Sequence, residues 1–173
     1  TKIARIAEDQ YVWMDRFTIR NLELYHSHQQ NAVTLLDVID KTISPMGGRM
    51  LKRWMALPLK NKEAITRRHE VVSYLLEHSQ QLDKIQTNIR RIGDLERLIS
   101  KVATLKISPR EVVQLKNSLE AIVPIKQLSQ NSDNPSLALL GQQLELCEDL
   151  RSKIKQTLDE QAPVHIECYC PWV

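Results

Sequence analysis

The residues best suited to chemistry lie in SPMGGRMLKRWMALPL, Ser44 to Leu59, where two adjacent glycines precede Arg49, Lys52 and Arg53. Glycines beside cations can cradle a phosphate, but such a loop also needs a Lys followed by Ser or Thr, whose hydroxyl ligates magnesium. Gly48 leads instead into Arg-Met-Leu-Lys-Arg, so no nucleotide site is assigned. The cations could meet nucleic-acid phosphates or brace neighbouring elements, and Arg67-Arg68 and Arg90-Arg91 add further cationic spots. A solvated helix face accounts for them equally well. Aromatic residues are only 5% of the chain and acids are interspersed throughout, so the stacking platform of a single-strand binder is missing.

Other constellations carry less. His26 and His28, two residues apart, would share a face of an extended segment, yet no third or fourth metal ligand is evident. Cys168 and Cys170 have CxC spacing rather than paired CxxC motifs, which argues against structural zinc. No Ser-His-Asp or Cys-His order stands out, and the carboxylates are scattered along amphipathic segments. The sequence therefore assigns no catalytic residue, no metal and no cofactor to this chain.

Composition sets the frame for these residues. At 173 residues, one domain able to bury about 70% of its unfolded surface is the default. Hydrophobic residues are 42% and charged residues 26%, as in ordinary globular proteins. A net charge of +3 is too small to compel a nucleic-acid partner by bulk electrostatics, so any basic contact has to be local. Three cysteines, an odd number, favour a reducing compartment, and no apolar run approaches the roughly 20 residues of a membrane span. A cytoplasmic protein without a membrane partner is expected. The chain opens on Thr1 in mid-segment, as a piece excised from a longer protein would.

The elements that must position these residues are mostly helical. Tyr11 to Met14 and Leu22 to Leu24 read as brief extended runs, with Asp15 capping a helical turn through Asn21 between them. Ser44-Pro45 pairs a preferred N-cap with a proline at N1, where the missing amide costs nothing. In the helix so begun, Met46, Met50, Trp54 and Leu57 share a face with Leu51 at its edge, and Pro58 ends it. Gly47 and Gly48 read as notches admitting another backbone, and Trp54 as a buried anchor worth about 3 to 5 kcal/mol.

Asn61 or Lys62 starts a helix with Ile65, Val72, Leu75 and Leu76 on one side; another runs from about Gln80 to Arg91 and ends at Gly93. Asp94 caps a helix with a stripe of Leu95, Leu98, Ile99 and Val102, in which Glu96 suits the positive end and Arg97 reads as an orienting cation between helices. Ser108-Pro109 repeats the cap, and Pro124 is expected to kink or end the helix that follows. After the loop QNSDNPS, helical spacing from Leu140 to Leu158 predicts one continuous helix, Ser136 to Leu158, of about 34 Å.

Taken together, TLLDVIDKTISPMGGRMLKRWMALPL and IGDLERLISKVATLKISPRE resemble the core domain of the MutS family of DNA mismatch-repair proteins, and MDRFTIRNLEL resembles the segment that precedes it. The match runs in order from about Tyr11 to Val164. Its motif positions are Asp37, Ser44, Pro45, Gly47, Arg49, Leu51, Trp54, Pro58, Asp94, Leu95, Glu96 and Arg97, and Arg49, Lys52 and Arg53 are the candidate DNA or interdomain contacts. The resemblance implies an all-α fold: a multi-helix core bundle with a long lever-like C-terminal helix and a short extended segment near the N-terminus. The expected divisions are a lead-in segment at 1–31 with a short strand and helical turn, a helical core at 32–129, a loop at 130–135, a lever-like helix at 136–164 and an atypical tail at 165–173.

In function the resemblance implies a core and lever module linking a DNA clamp to an ATPase. The parent would be a homodimer that binds mismatched duplex DNA in an ATP-dependent manner, with ATP and magnesium as its cofactors. The family's Phe-x-Glu mismatch reader cannot be formed here, because the only phenylalanine, Phe17, is followed by Thr18 and Ile19. Beyond Val164 the family continues through a glycine-containing loop, whereas this chain reads HIECYCPWV, as a cut boundary carrying unrelated residues or a truncated natural product would. The alternative from the residues alone is an autonomous helical DNA-binding domain using the basic face.

Overall fold

The computed structural model describes residues 10–27, 29 and 32–164. Helices dominate: α1 (Arg16–Asn21), α2 (Leu35–Ile39), α3 (Pro45–Ala56), α4 (Lys62–Glu77), α5 (Ser79–Arg91), α6 (Leu95–Ala103), α7 (Pro109–Gln130), α8 (Pro135–Gln143) and α9 (Glu148–Thr157). The fold is all-α, as expected. Among the described residues the only extended pairing is an isolated antiparallel bridge between Tyr11 and Leu59. The chain divides into two compact units, Thr1–Glu77 and His78–Val173.

In the first unit, local capping sets the helix starts. The Asp15 carboxylate accepts from the Thr18 amide at 2.7 Å, Ser44 Oγ from Gly47 at 3.1 Å, and Asn61 Oδ1 from Ala64 at 2.8 Å. Each satisfies a first-turn amide that has no carbonyl partner within the helix. Leu22 to Leu24 is not a strand. Glu23 adopts φ 47° and the chain turns there, burying Leu24, whose carbonyl accepts from the Leu36 amide at 3.1 Å. On α4, Val72 and Leu76 are exposed rather than packed, and that helix buries no residue.

The second unit is organised around α7, against which α5, α6, α8 and α9 all pack. Leu98, Leu115 and Leu119 form its core, with Leu95, Ile122 and Cys147 against them. Of the two outcomes expected at Pro124, an end to the helix is not observed: α7 runs on to Gln130 with the proline inside it. Tertiary partners hold the turns beyond the proline: Gln81 donates to the Leu128 carbonyl at 2.7 Å, and Ser129 is buried against Gly141 of α8. Gly93 has no left-handed φ; it serves close approach, since its amide donates to Ser118 Oγ at 3.0 Å and a Cβ there would lie 3.1 Å from Gln114 Nε2.

The predicted rod from Ser136 to Leu158 is two helices. Between α8 and α9, Lys126 Nζ donates to the Leu144 carbonyl at 2.7 Å, occupying an acceptor that a continuous helix would use. Glu145 Oε1 takes the amides of Leu146 and Cys147 at 3.0 and 3.3 Å, and Cys147 sits in the left-handed region at φ 46°. A side chain from α7 thus outcompetes the helical ladder. Beyond α9, Lys116, only 3% exposed, pairs with Glu160 and lies 3.9 Å from Glu120, which ties the segment just after α9 to α7.

Candidate nucleic-acid and interdomain contact site

The start of α3 is built by a short loop folded against its first turn. Asp40 accepts from the amide and hydroxyl of Thr42 at 3.0 and 2.6 Å, and these bonds, with lesser help from Lys52 and Lys41, hold its carboxyl below the usual range. Thr42 then lies over the glycines. A Cβ on Gly47 would meet Ser44 Oγ at 3.1 Å and Thr42 Cβ at 3.5 Å, and one on Gly48 would meet Thr42 Oγ1 at 3.3 Å. The notches are real, but side chains of the preceding loop fill them rather than another backbone.

Asp37, upstream, completes a capping box. Its carboxylate accepts from the Thr34 amide and hydroxyl at 3.0 and 2.7 Å, while Thr34 Oγ1 accepts from the Asp37 amide at 3.2 Å. Those contacts pull its carboxyl below the ordinary carboxylate range, the Thr34 hydroxyl first. The Thr-x-x-Asp spacing was available in the sequence as the signal for this box.

Along α3, Arg49, Lys52 and Arg53 fall at i, i+3 and i+4 and are all exposed, so they share one face of the helix. Leu51 is half-buried on another side. The expected burial of Trp54 is overturned: it is 45% exposed, and the Arg68 guanidinium carbon stands 3.9 Å from its ring centroid. The ring is a platform for an arginine, in a cation–π contact, rather than an anchor in a core. α3 ends at Ala56, and beyond Leu57 the Pro58 carbonyl accepts from the Val12 amide at 2.7 Å, which begins the Tyr11–Leu59 bridge.

Sequence reading missed Tyr25. Its hydroxyl donates to the Lys52 carbonyl at 2.6 Å, and burial raises its pKa. No local pattern announces a contact across 27 positions.

In the second unit, Asp94 Oδ1 accepts from the Arg97 amide at 3.2 Å as expected of a cap, and Leu95 packs on the core. Glu96 and Arg97 are exposed. A brace between helices is made by Lys101 of α6 and Glu111 of α7. Of the remaining basic spots, Arg67 reaches Glu63 at 4.0 Å and Arg91 reaches Asn88 at 3.4 Å.

Among the described residues, no three or more His, Cys, Asp or Glu side chains gather as metal ligands, and no helix is long and apolar enough to cross a membrane. His28, Cys168 and Cys170 lie outside the described residues.

Comparison with known proteins agrees with this architecture. The family model described as MutS domain III matches residues 17–170. The chain is 63% identical over 166 residues to the DNA mismatch repair protein MutS of Flavobacterium psychrophilum, covering 96% of this chain and 19% of that protein. It is 64% identical over 165 residues to that of Christiangramia forsetii and 51% identical over 166 residues to that of Bacteroides fragilis, again spanning 19% of each.

Proposed function

Because this chain belongs to the MutS domain III family, we propose that it is the structural core of a longer DNA mismatch repair protein and that it relays between DNA engagement and nucleotide state there. The observation that carries the reading is the match of nearly the whole chain to about a fifth of each repair protein. The parent would bind mismatched duplex DNA in an ATP-dependent manner, as a cytoplasmic homodimer using ATP and magnesium bound on other domains. This piece has no ATP-hydrolysing role of its own in that reading.

A relay needs an element with two discrete arrangements that both sites bias. The second unit supports one: α7 touches four other helices, and the α8–α9 break gives the lever side a joint rather than a rod. The test uses the full-length protein carrying this segment, with a cysteine pair that closes as a disulfide between α7 and α9. Mismatch affinity should survive, and ATP-driven release from DNA should slow. Release at the normal rate would refute the relay.

The second reading, an autonomous DNA-binding domain, is favoured by the exposed Arg49, Lys52 and Arg53 face. It requires the 173-residue chain to bind duplex DNA by itself with affinity that falls steeply as salt rises.

A further inference from the structure

We propose that the α8–α9 junction is a two-state helix break: Lys126 of α7 holds it open, and when its ammonium leaves the Leu144 carbonyl, α8 and α9 close into one helix. Local preference favours the closed form. From Gln142 to Leu158 there is neither glycine nor proline, and Gln142, Gln143, Leu144, Glu145 and Leu146 are good helix formers. The chain nevertheless leaves helix at Leu144 and restarts at Glu148, with Cys147 between them at φ 46° and ψ 50°. A residue with a Cβ rarely enters that left-handed region, where glycine is the usual occupant. Conflicts between local preference and fold concentrate at functional sites.

Helix phase gives each form a packing face of its own. At about 100° per residue, Gly141 and Cys147 would stand about 120° apart around one continuous helix. The break re-phases the chain so that both are used at once: Gly141 fits against Ser129 and Gln130 of α7, while Cys147 packs on the cluster of Leu98, Leu115 and Leu119. In the closed form Leu140, Leu144, Cys147, Ile154 and Leu158 make one stripe instead. That stripe recruits Leu140, now exposed, and swings Gly141 off α7. Two packed arrangements of one segment are what a switching element requires.

Lys126 is the pivot because it reaches the break from another helix, its Nζ donating to the Leu144 carbonyl at 2.7 Å. Glu145 caps the Leu146 and Cys147 amides from within the junction, and Arg151 Nε donates to the Leu146 carbonyl at 2.8 Å from α9. In a continuous helix the Leu144 carbonyl would accept from the Glu148 amide, so the ammonium holds the oxygen that closure needs. Any contact that draws Lys126 away shifts the balance toward one helix. The switch supplies the two arrangements that the proposed relay calls for, but it is tested in the 173-residue chain by itself. Normal ATP-driven release in the full-length protein would refute the relay and leave the switch standing.

The test follows the isotopically labelled chain by NMR relaxation dispersion at Leu144 to Glu148. The parent should exchange, in microseconds to milliseconds, with a minor state whose Cα shifts at Leu144 to Cys147 are helical. Lys126→Met, which keeps the stem and removes the donor, should raise that state about tenfold or more. It should also slow solvent exchange of the Glu148 amide and move the Ser129 and Gln130 resonances as Gly141 departs. Lys126→Arg retains a cationic donor and should leave the population unchanged. Cys147→Gly relieves the left-handed backbone and weakens the helix, so it should suppress the minor state in the parent and restore the break in Lys126→Met, a rescue that a merely structural lysine would not show. Unchanged shifts at Ile85 of α5 report that the variants fold. Flat dispersion in the parent, together with a Lys126→Met chain that keeps its non-helical shifts or fails to fold, would overturn the proposal. So would a minor state with coil-like shifts at the junction, or one that Cys147→Gly leaves in place.

Discussion

Replacing Gly141 by Ala sets two effects of known size against each other. Gly141 lies inside α8, where alanine is preferred by about 1 kcal/mol because it restricts the unfolded chain and favours helix. Against this, a Cβ at that position would come within 2.8 Å of the Gln130 backbone nitrogen and 2.8 Å of Ser129 Cβ on α7. Real Cβ atoms do not approach so closely, and one of the opposing atoms is backbone, which cannot swing aside. The crossing of α7 and α8 must therefore open by several tenths of an ångström, and overpacking of this kind costs about 1 to 3 kcal/mol.

The clash should win. Gly141→Ala is expected to lower stability by up to about 2 kcal/mol, or as much as roughly 8 °C in melting temperature for a chain of this size. Thermal melts by far-UV circular dichroism measure the shift, and Gly141→Ser, larger still, should fall further. A melting temperature above that of the parent would show that α7 and α8 do not meet at this glycine as described.

Other perturbations separate local from tertiary contributions. Leu105 is 92% exposed at φ 54° just after α6, and the Lys106 amide closes on the Lys101 carbonyl at 2.9 Å, a Schellman ending in which glycine fits best. Leu105→Gly should raise stability by about 0.5 to 1 kcal/mol in denaturant titration, and a loss would contradict strain at that residue. Trp54→Ala should cost only about 1 to 2 kcal/mol, because half-burial and the Arg68 contact replace full burial; a loss of 3 kcal/mol or more would restore the buried anchor. Glu111 is held below its ordinary pKa by its Lys101 bond first and by the Ser108 amide and hydroxyl next, so the native state binds fewer protons there than the unfolded chain. Its contribution is complete above the unfolded carboxylate pKa of about 4.3 and is lost as pH falls toward the folded value. The stability gap between the parent and Glu111→Gln should therefore be widest near neutrality and narrow in acid, and a gap independent of pH would refute the assignment.

Helix starts were legible in advance because each depends on residues within one turn. Asp15, Ser44, Asp94 and Ser108 reach amides three positions on, and such bonds form wherever that short stretch is placed. The motif positions on α3 were likewise placed on a helix with its observed limits. Gly47 and Gly48 were read as close-approach notches, but what fills them depends on where Thr42 ends up; Gly93 was read only as a helix end, because its contacts with Gln114 and Ser118 depend on where α7 packs.

What capping residues and apolar spacing determined by themselves was a mainly helical chain with its helix starts, to which the resemblance added the motif order of one family. Tertiary structure alone decided that Lys126 would take the Leu144 carbonyl and break the predicted rod, and that Gln81 would support α7 beyond Pro124. It also left Trp54 open beneath Arg68. The physical reason is range: capping bonds and periodic faces are satisfied within a few residues, whereas a carbonyl's partner or a ring's cover is settled by competition among groups tens of positions apart.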